Sequence, residues 1–102
     1  MDKIENHQLV EAVLLWTGWK REMKPRRDDS TLIDRFGHER AGKLLAVIKS
    51  LEDAFYSSDA KYSAANLQEM ESISIQQFKE KHPGLPDEVA KAFAWCYTFD
   101  FK

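Results

Sequence analysis

Apolar residues recur along the chain at helical spacing, and the gaps between the apolar stripes carry helix-ending residues. Over about 3–17, Ile4, Val10, Val13, Leu14 and Thr17 lie near one stripe, and Leu9, Ala12 and Trp16 widen it. Gly18 follows, where a missing Cβ removes the steric cost of a left-handed cap. Asp28, Asp29 and Ser30 are candidate caps for a short helix carrying Leu32, Ile33 and Phe36 and pausing at Gly37. The clearest stripe is Ala41, Leu44, Ile48, Leu51 and Phe55, which predicts a helix over about 38–56. Lys43, Lys49, Ser50, Glu52 and Asp53 fill its other face.

The pattern is less regular beyond residue 56. Tyr62, Leu67, Met70 and Ile73 suggest a fourth helical stretch beginning near Asp59 or Ser63. Ser72-Ile73-Ser74-Ile75 alternates, which is a strand rhythm, and it reads as a break. Ser74 and Gln77 match a capping box for a further helix over about 75–81. A last helix starts at Pro86, with Asp87 and Glu88 favoured at its positive end. It buries Val89, Ala92, Phe93 and Cys96, and residues 97–101 alternate as an extended finish would. No hairpin dipeptide occurs. These elements predict an all-α fold: one helical domain over 1–102, a bundle of five or six helices.

Size fits that reading. A chain of 102 residues and 11.9 kDa buries about two-thirds of its unfolded surface, enough for one core without disulfides. Apolar residues make up 43 %, aromatic 12 % and charged 31 %, a globular rather than a disordered mix. The single cysteine, Cys96, excludes an internal disulfide and a multi-thiolate zinc site. Residues 1–5 lack the basic-then-apolar pattern of a signal peptide, and the longest apolar run, 12–16, is too short to span a bilayer. The expectation is a cytoplasmic protein away from membranes.

Charge is distributed unevenly. The chain totals −2, yet residues 20–27 carry Lys20, Arg21, Lys24, Arg26 and Arg27 against Glu22 alone, a local +4 in a body of −6. Trp16 and Trp19 stand beside those cations. Tryptophan and arginine are enriched in binding hot spots, so Trp19, Arg21, Arg26 and Arg27 are candidate partner-binding residues. Lysine and arginine on phosphates with a stacked ring is the nucleic-acid version of the same segment. Its bland version puts both tryptophans in the core and leaves the cations solvated.

Catalytic patterns are absent from the sequence. His7, His38 and His82 stand apart, without the one-turn spacing of a zinc pair or the Glu-x-x-His of di-iron helices. Cys96 lies on an apolar face, where a thiol serves as a small hydrophobe. Gly18, Gly37, Gly42 and Gly84 are too scattered to cradle a phosphate, and no nucleophile elbow occurs. An enzymatic pocket would need distant residues such as His38, Glu39, Asp59 and Tyr62 to converge. The sequence therefore points to a protein without catalysis, metal or cofactor.

In size, mild acidity, cysteine poverty and helical character, the whole chain resembles the immunity proteins of bacterial contact-dependent inhibition systems. The resemblance implies a cytoplasmic antitoxin that binds one toxin domain and covers or locks its active site. An inhibitor of a nuclease meets a basic cleft with carboxylates. Glu52, Asp53, Asp59, Glu69 and Glu71 are the candidates here, with Tyr62 as anchor between them. The basic segment suits an acidic or mixed partner surface. The alternative is a small nucleic-acid-binding regulator using residues 20–27. The diluted charge of the 38–56 helix, with Arg40, Lys43 and Lys49 against Glu52 and Asp53, argues against it.

Overall fold

A computed structural model describes residues 5–101, all of them in helices or the loops between them. Helix α1 spans Asn6–Thr17. The expected start at Lys3, and Ile4 of its stripe, lie outside the described residues. Its buried seam is Leu9, Ala12, Val13 and Trp16, ending in Thr17, with Val10 and Leu14 at the margin. The seam is thus centred on residues that the sequence placed at its edge. Trp16 is buried and satisfies its indole N–H on Asp29 Oδ1 at 2.7 Å. Gly18 ends the helix at φ +82°, its N–H donating to Leu14 O.

Helix α2, Asp29–Phe36, is capped by Asp28, whose carboxylate accepts from the Ser30 N–H and hydroxyl at 3.0 and 2.6 Å. Those bonds hold the Asp28 carboxyl below its ordinary range. Gly37, at φ +83°, makes the sharp step into α3, His38–Tyr56. All five residues of the predicted stripe are buried there. Glu52 departs from its expected solvated face and is half-buried.

The stretch after α3 corrects the sequence reading. A single turn, α4 (Ala60–Ser63), is followed by one unbroken helix, α5 (Leu67–Lys81). Asn66 caps α5 by accepting from the Glu69 N–H at 2.8 Å. There is no break at 72–75, because Met70, Ser74 and Phe78 step by four and form the buried seam straight through the alternation. The proposed capping box does not form. Ser74 Oγ donates within the helix to Glu71 O, and the Gln77 amide is held by Ser58 and Asp59.

Helix α6 runs over Asp87–Phe101, so the tail is helical rather than extended. The reason is again a four-residue step, Val89, Phe93, Tyr97 and Phe101. Val89, Phe93 and Tyr97 are buried, and Phe101 packs at a tilt on Tyr97 with ring centroids 4.9 Å apart. The Tyr97 hydroxyl donates to Ser58 O and accepts from the Lys61 N–H, both at 3.0 Å, which ties α6 to the start of α4.

Helix α6 packs on α1, α3 and α5, and α3 packs on α1, α2, α5 and α6, while α4 lies on α5. One continuous core results, with Phe55 in tilted or edge-on contact with Phe78, Phe93 and Tyr97, and Phe78 edge-on to Phe93. Among the described residues the fold is an all-α bundle of six helices without strands. No described helix is long and apolar enough to cross a membrane.

Candidate protein-binding surfaces

The residues expected to meet a partner fall into two regions, and the structure joins them at one point. Arg27 leaves the basic loop with φ +53° and reaches toward the ends of α3 and α6. Its Nε donates to Glu52 Oε2 at 2.8 Å, and its Nη2 donates to the Tyr56 hydroxyl at 2.6 Å and to Asp100 Oδ2 at 2.8 Å. The Tyr56 hydroxyl in turn donates to the same Asp100 oxygen at 2.6 Å. Burial alone would lower the Arg27 pKa, but the bonds to Glu52 and Asp100 outweigh it and hold it above its ordinary value. Burial, then the bond to Asp100, pushes the Tyr56 phenol well up. Arg27 and Glu52, read from sequence as members of surfaces of opposite sign, are therefore spent largely on each other. Tyr56 and Asp100 were missed. No local pattern marks them, since they are 44 positions apart and meet only through packing.

The rest of the basic segment divides in two. Arg26 is paired with Glu22 at 3.2 Å and Asp28 at 3.3 Å. Trp19 is half-buried against the core, with Lys20 Nζ 4.6 Å from its ring centre. Arg21 remains exposed. Of the five basic residues in 20–27, two are thus compensated by carboxylates, which weakens the footprint a nucleic-acid reader needs. The bland expectation holds for Trp16 and mostly for Trp19.

The other acidic candidates lie at and beyond the same C-terminal end of α3 that Arg27 reaches. Asp53 is exposed on α3. Asp59 accepts from the Gln77 amide at 3.0 Å. Tyr62 is 84 % exposed on α4, with Lys61 Nζ 5.3 Å from its ring centre. The same ammonium lies 4.3 Å from the centre of the Phe101 ring. Glu69 and Glu71 are exposed on the first turns of α5 and make no ion pair among the described residues. Leu67, also exposed, stands between Tyr62 and these carboxylates in the chain.

The residues that would have built an enzymatic pocket are not brought together. His38 and Glu39 open α3, beside a shallow depression lined by Phe36, Gly37, Arg40 and Lys43. Asp59 and Tyr62 follow the far end of that 19-residue helix, about 27 Å away at 1.5 Å per residue. His7 pairs with Glu5 at 3.2 Å, and His82 packs on Phe78. Among the described residues no three His, Cys, Asp or Glu side chains could share a metal ion. Cys96 is buried, and burial pushes its thiol up to about 12.

The chain matches no protein-family model, no curated protein and no solved structure.

Proposed function

We propose that this chain is a small protein-binding module and, in its most concrete form, an immunity protein that neutralises a cognate bacterial toxin by covering or locking its active site. One observation carries the reading. Tyr62 is 84 % exposed on a segment, 59–71, that also presents Leu67, Glu69 and Glu71 to solvent. An aromatic ring buries roughly 150–250 Å² when a partner covers it, and it costs little rotamer entropy to fix. Exposed carboxylates on the same segment as such an anchor match a basic cleft of the kind a nuclease offers to phosphates. Glu52 contributes indirectly, since its bond to Arg27 fixes the end of α3 from which the segment departs. The mechanism is steric and electrostatic, with no bond made or broken.

The test is a pull-down with the tagged chain, using lysate of the source cell and the products of neighbouring genes. The expected result is one polypeptide recovered one-to-one, toxic when expressed alone and harmless when co-expressed. Tyr62→Ala and the double change Glu69→Lys with Glu71→Lys should each abolish recovery while leaving the thermal transition in place. Recovery of nucleic acid that washes off with salt, or of a partner indifferent to these substitutions, refutes the reading.

A further inference from the structure

Residues 18–28, between α1 and α2, form a closed loop with a rigid base. The Arg26 N–H donates to Thr17 O at 3.1 Å and the Asp28 N–H to Trp16 O at 3.0 Å, which shuts the loop across its neck. Inside it, the N–H groups of Arg21 and Glu22 both donate to Gly18 O, at 2.9 and 2.8 Å. Three residues hold left-handed backbone: Gly18 at +82°, Lys20 at +72° and Arg27 at +53°. Non-glycine residues rarely adopt that region unless their surroundings fix them there. Of these, Arg27 is fixed by Glu52, Tyr56 and Asp100; its neighbour Arg26, outside that region, is paired with Glu22 and Asp28.

The tip contrasts with the base. Met23 is 99 % exposed, the most exposed large apolar side chain among the described residues. Lys20, Arg21 and Lys24 surround it in the chain, are exposed, and make no ion pair among the described residues. The loop's own carboxylates, Glu22 and Asp28, are engaged by Arg26. A loop closed at its neck thus holds one flexible apolar side chain out into water, with the exposed Arg21 and Lys24 close to it in the chain and the Lys20 ammonium over the Trp19 ring.

We propose that this tip, Met23 with its chain neighbours Lys20, Arg21 and Lys24, is a docking surface for a protein partner that offers an apolar pocket rimmed by carboxylates. The charge of the tip selects an acidic rim and excludes a basic one. The unbranched, polarisable thioether adapts to pockets of varied shape. The braced backbone removes most of the ordering cost that a free loop would incur on binding. A single methionine gives too little apolar area to anchor in a bilayer, where three cations alone bind weakly. A nucleic-acid site would need a ring free to stack on bases, and Trp19 instead packs on the core beneath Lys20. The tip shares no residue with segment 59–71 and is opposite to it in charge, although the base of the loop meets the end of α3 through Arg27.

The test places a photo-crosslinking benzoylphenylalanine at position 23 of the full chain and irradiates it in lysate of the source cell. A second chain labelled at Gln76, exposed on α5, reports background. The expected result is a protein adduct at position 23, absent at position 76, whose crosslinked peptide maps to an apolar site flanked by aspartate or glutamate. The adduct should fall at least tenfold when Arg21→Glu and Lys24→Glu are added, with the thermal transition unchanged, and should persist in Tyr62→Ala. Adducts to lipid, to nucleic acid or to a second copy of this chain overturn the proposal. So does an adduct that survives charge reversal, or none above background. Loss of the 59–71 partner in Tyr62→Ala with the position-23 adduct intact would show that the two surfaces stand or fall separately.

Discussion

Replacing Arg27 with alanine removes the hub that ties the basic loop to α3 and α6. Three of its hydrogen bonds are lost together, to Glu52, Tyr56 and Asp100. A hydrogen bond to a charged group contributes about 1.5–3 kcal/mol, and stranding a desolvated carboxylate adds to the loss. The Glu52 carboxylate is only 18 % exposed, so its bond belongs in that range. Arg27 and Asp100 are each about one-third exposed, so their pair counts for less than about 1 kcal/mol. Because the bonds share one side chain they do not add, and the expected cost is about 2–4 kcal/mol. Urea denaturation followed by circular dichroism measures it. The midpoint should fall with little change of slope, and the thermal transition should drop by about 4–8 °C per kcal/mol. The backbone supplies an internal control. At φ +53° an L-residue carries about 1–2 kcal/mol of strain that glycine does not. Arg27→Gly should therefore be about 1 kcal/mol less damaging than Arg27→Ala, although both lose the same side chain. A double-mutant cycle with Glu52→Gln should give a coupling of about 1–3 kcal/mol. An Arg27→Ala variant within about 0.5 kcal/mol of the parent, or a coupling near zero, would refute the network as a structural tie.

Two further expectations follow from single residues. Gly18→Ala should destabilise the chain by about 1–2 kcal/mol in the same assay, since φ is +82° and the added Cβ would lie 2.6 Å from Glu22 Cγ; a neutral result would mean that the loop relaxes freely. Cys96 is raised from 9.0 to about 12 in the folded chain, so the thiol favours folding below pH 9 and that contribution is lost as pH rises from 9 through 12. Cys96→Ala should flatten this part of the stability–pH curve, and the native thiol should resist a thiol reagent until the chain unfolds; a steep fall that survives the substitution assigns it to other groups.

The sequence by itself determined the all-α class, the α3 stripe, the Gly18 stop and an Asp28, Asp29 or Ser30 cap for α2, because each is set by spacing or chemistry within a few residues; the structure selected Asp28. Helix α3 buries all five predicted positions for this reason. Where the local signal competed with packing, packing won. The alternating Ser72–Ile75 stretch stays helical because Met70, Ser74 and Phe78 all face the core, and 97–101 stay helical because Tyr97 finds Ser58 and Phe101 finds Tyr97 and Tyr56. The candidate sites divide the same way. Composition singled out residues 20–27 and the carboxylates of 52–71. Only the tertiary structure decided that Arg27 and Glu52 bind each other, that Arg26 is neutralised within its own loop, and that Met23 rather than Trp19 stands free in water. Pairings across 25 and 73 positions carry no trace in local pattern, because they depend on where distant helices end, which the burial of their apolar faces fixes.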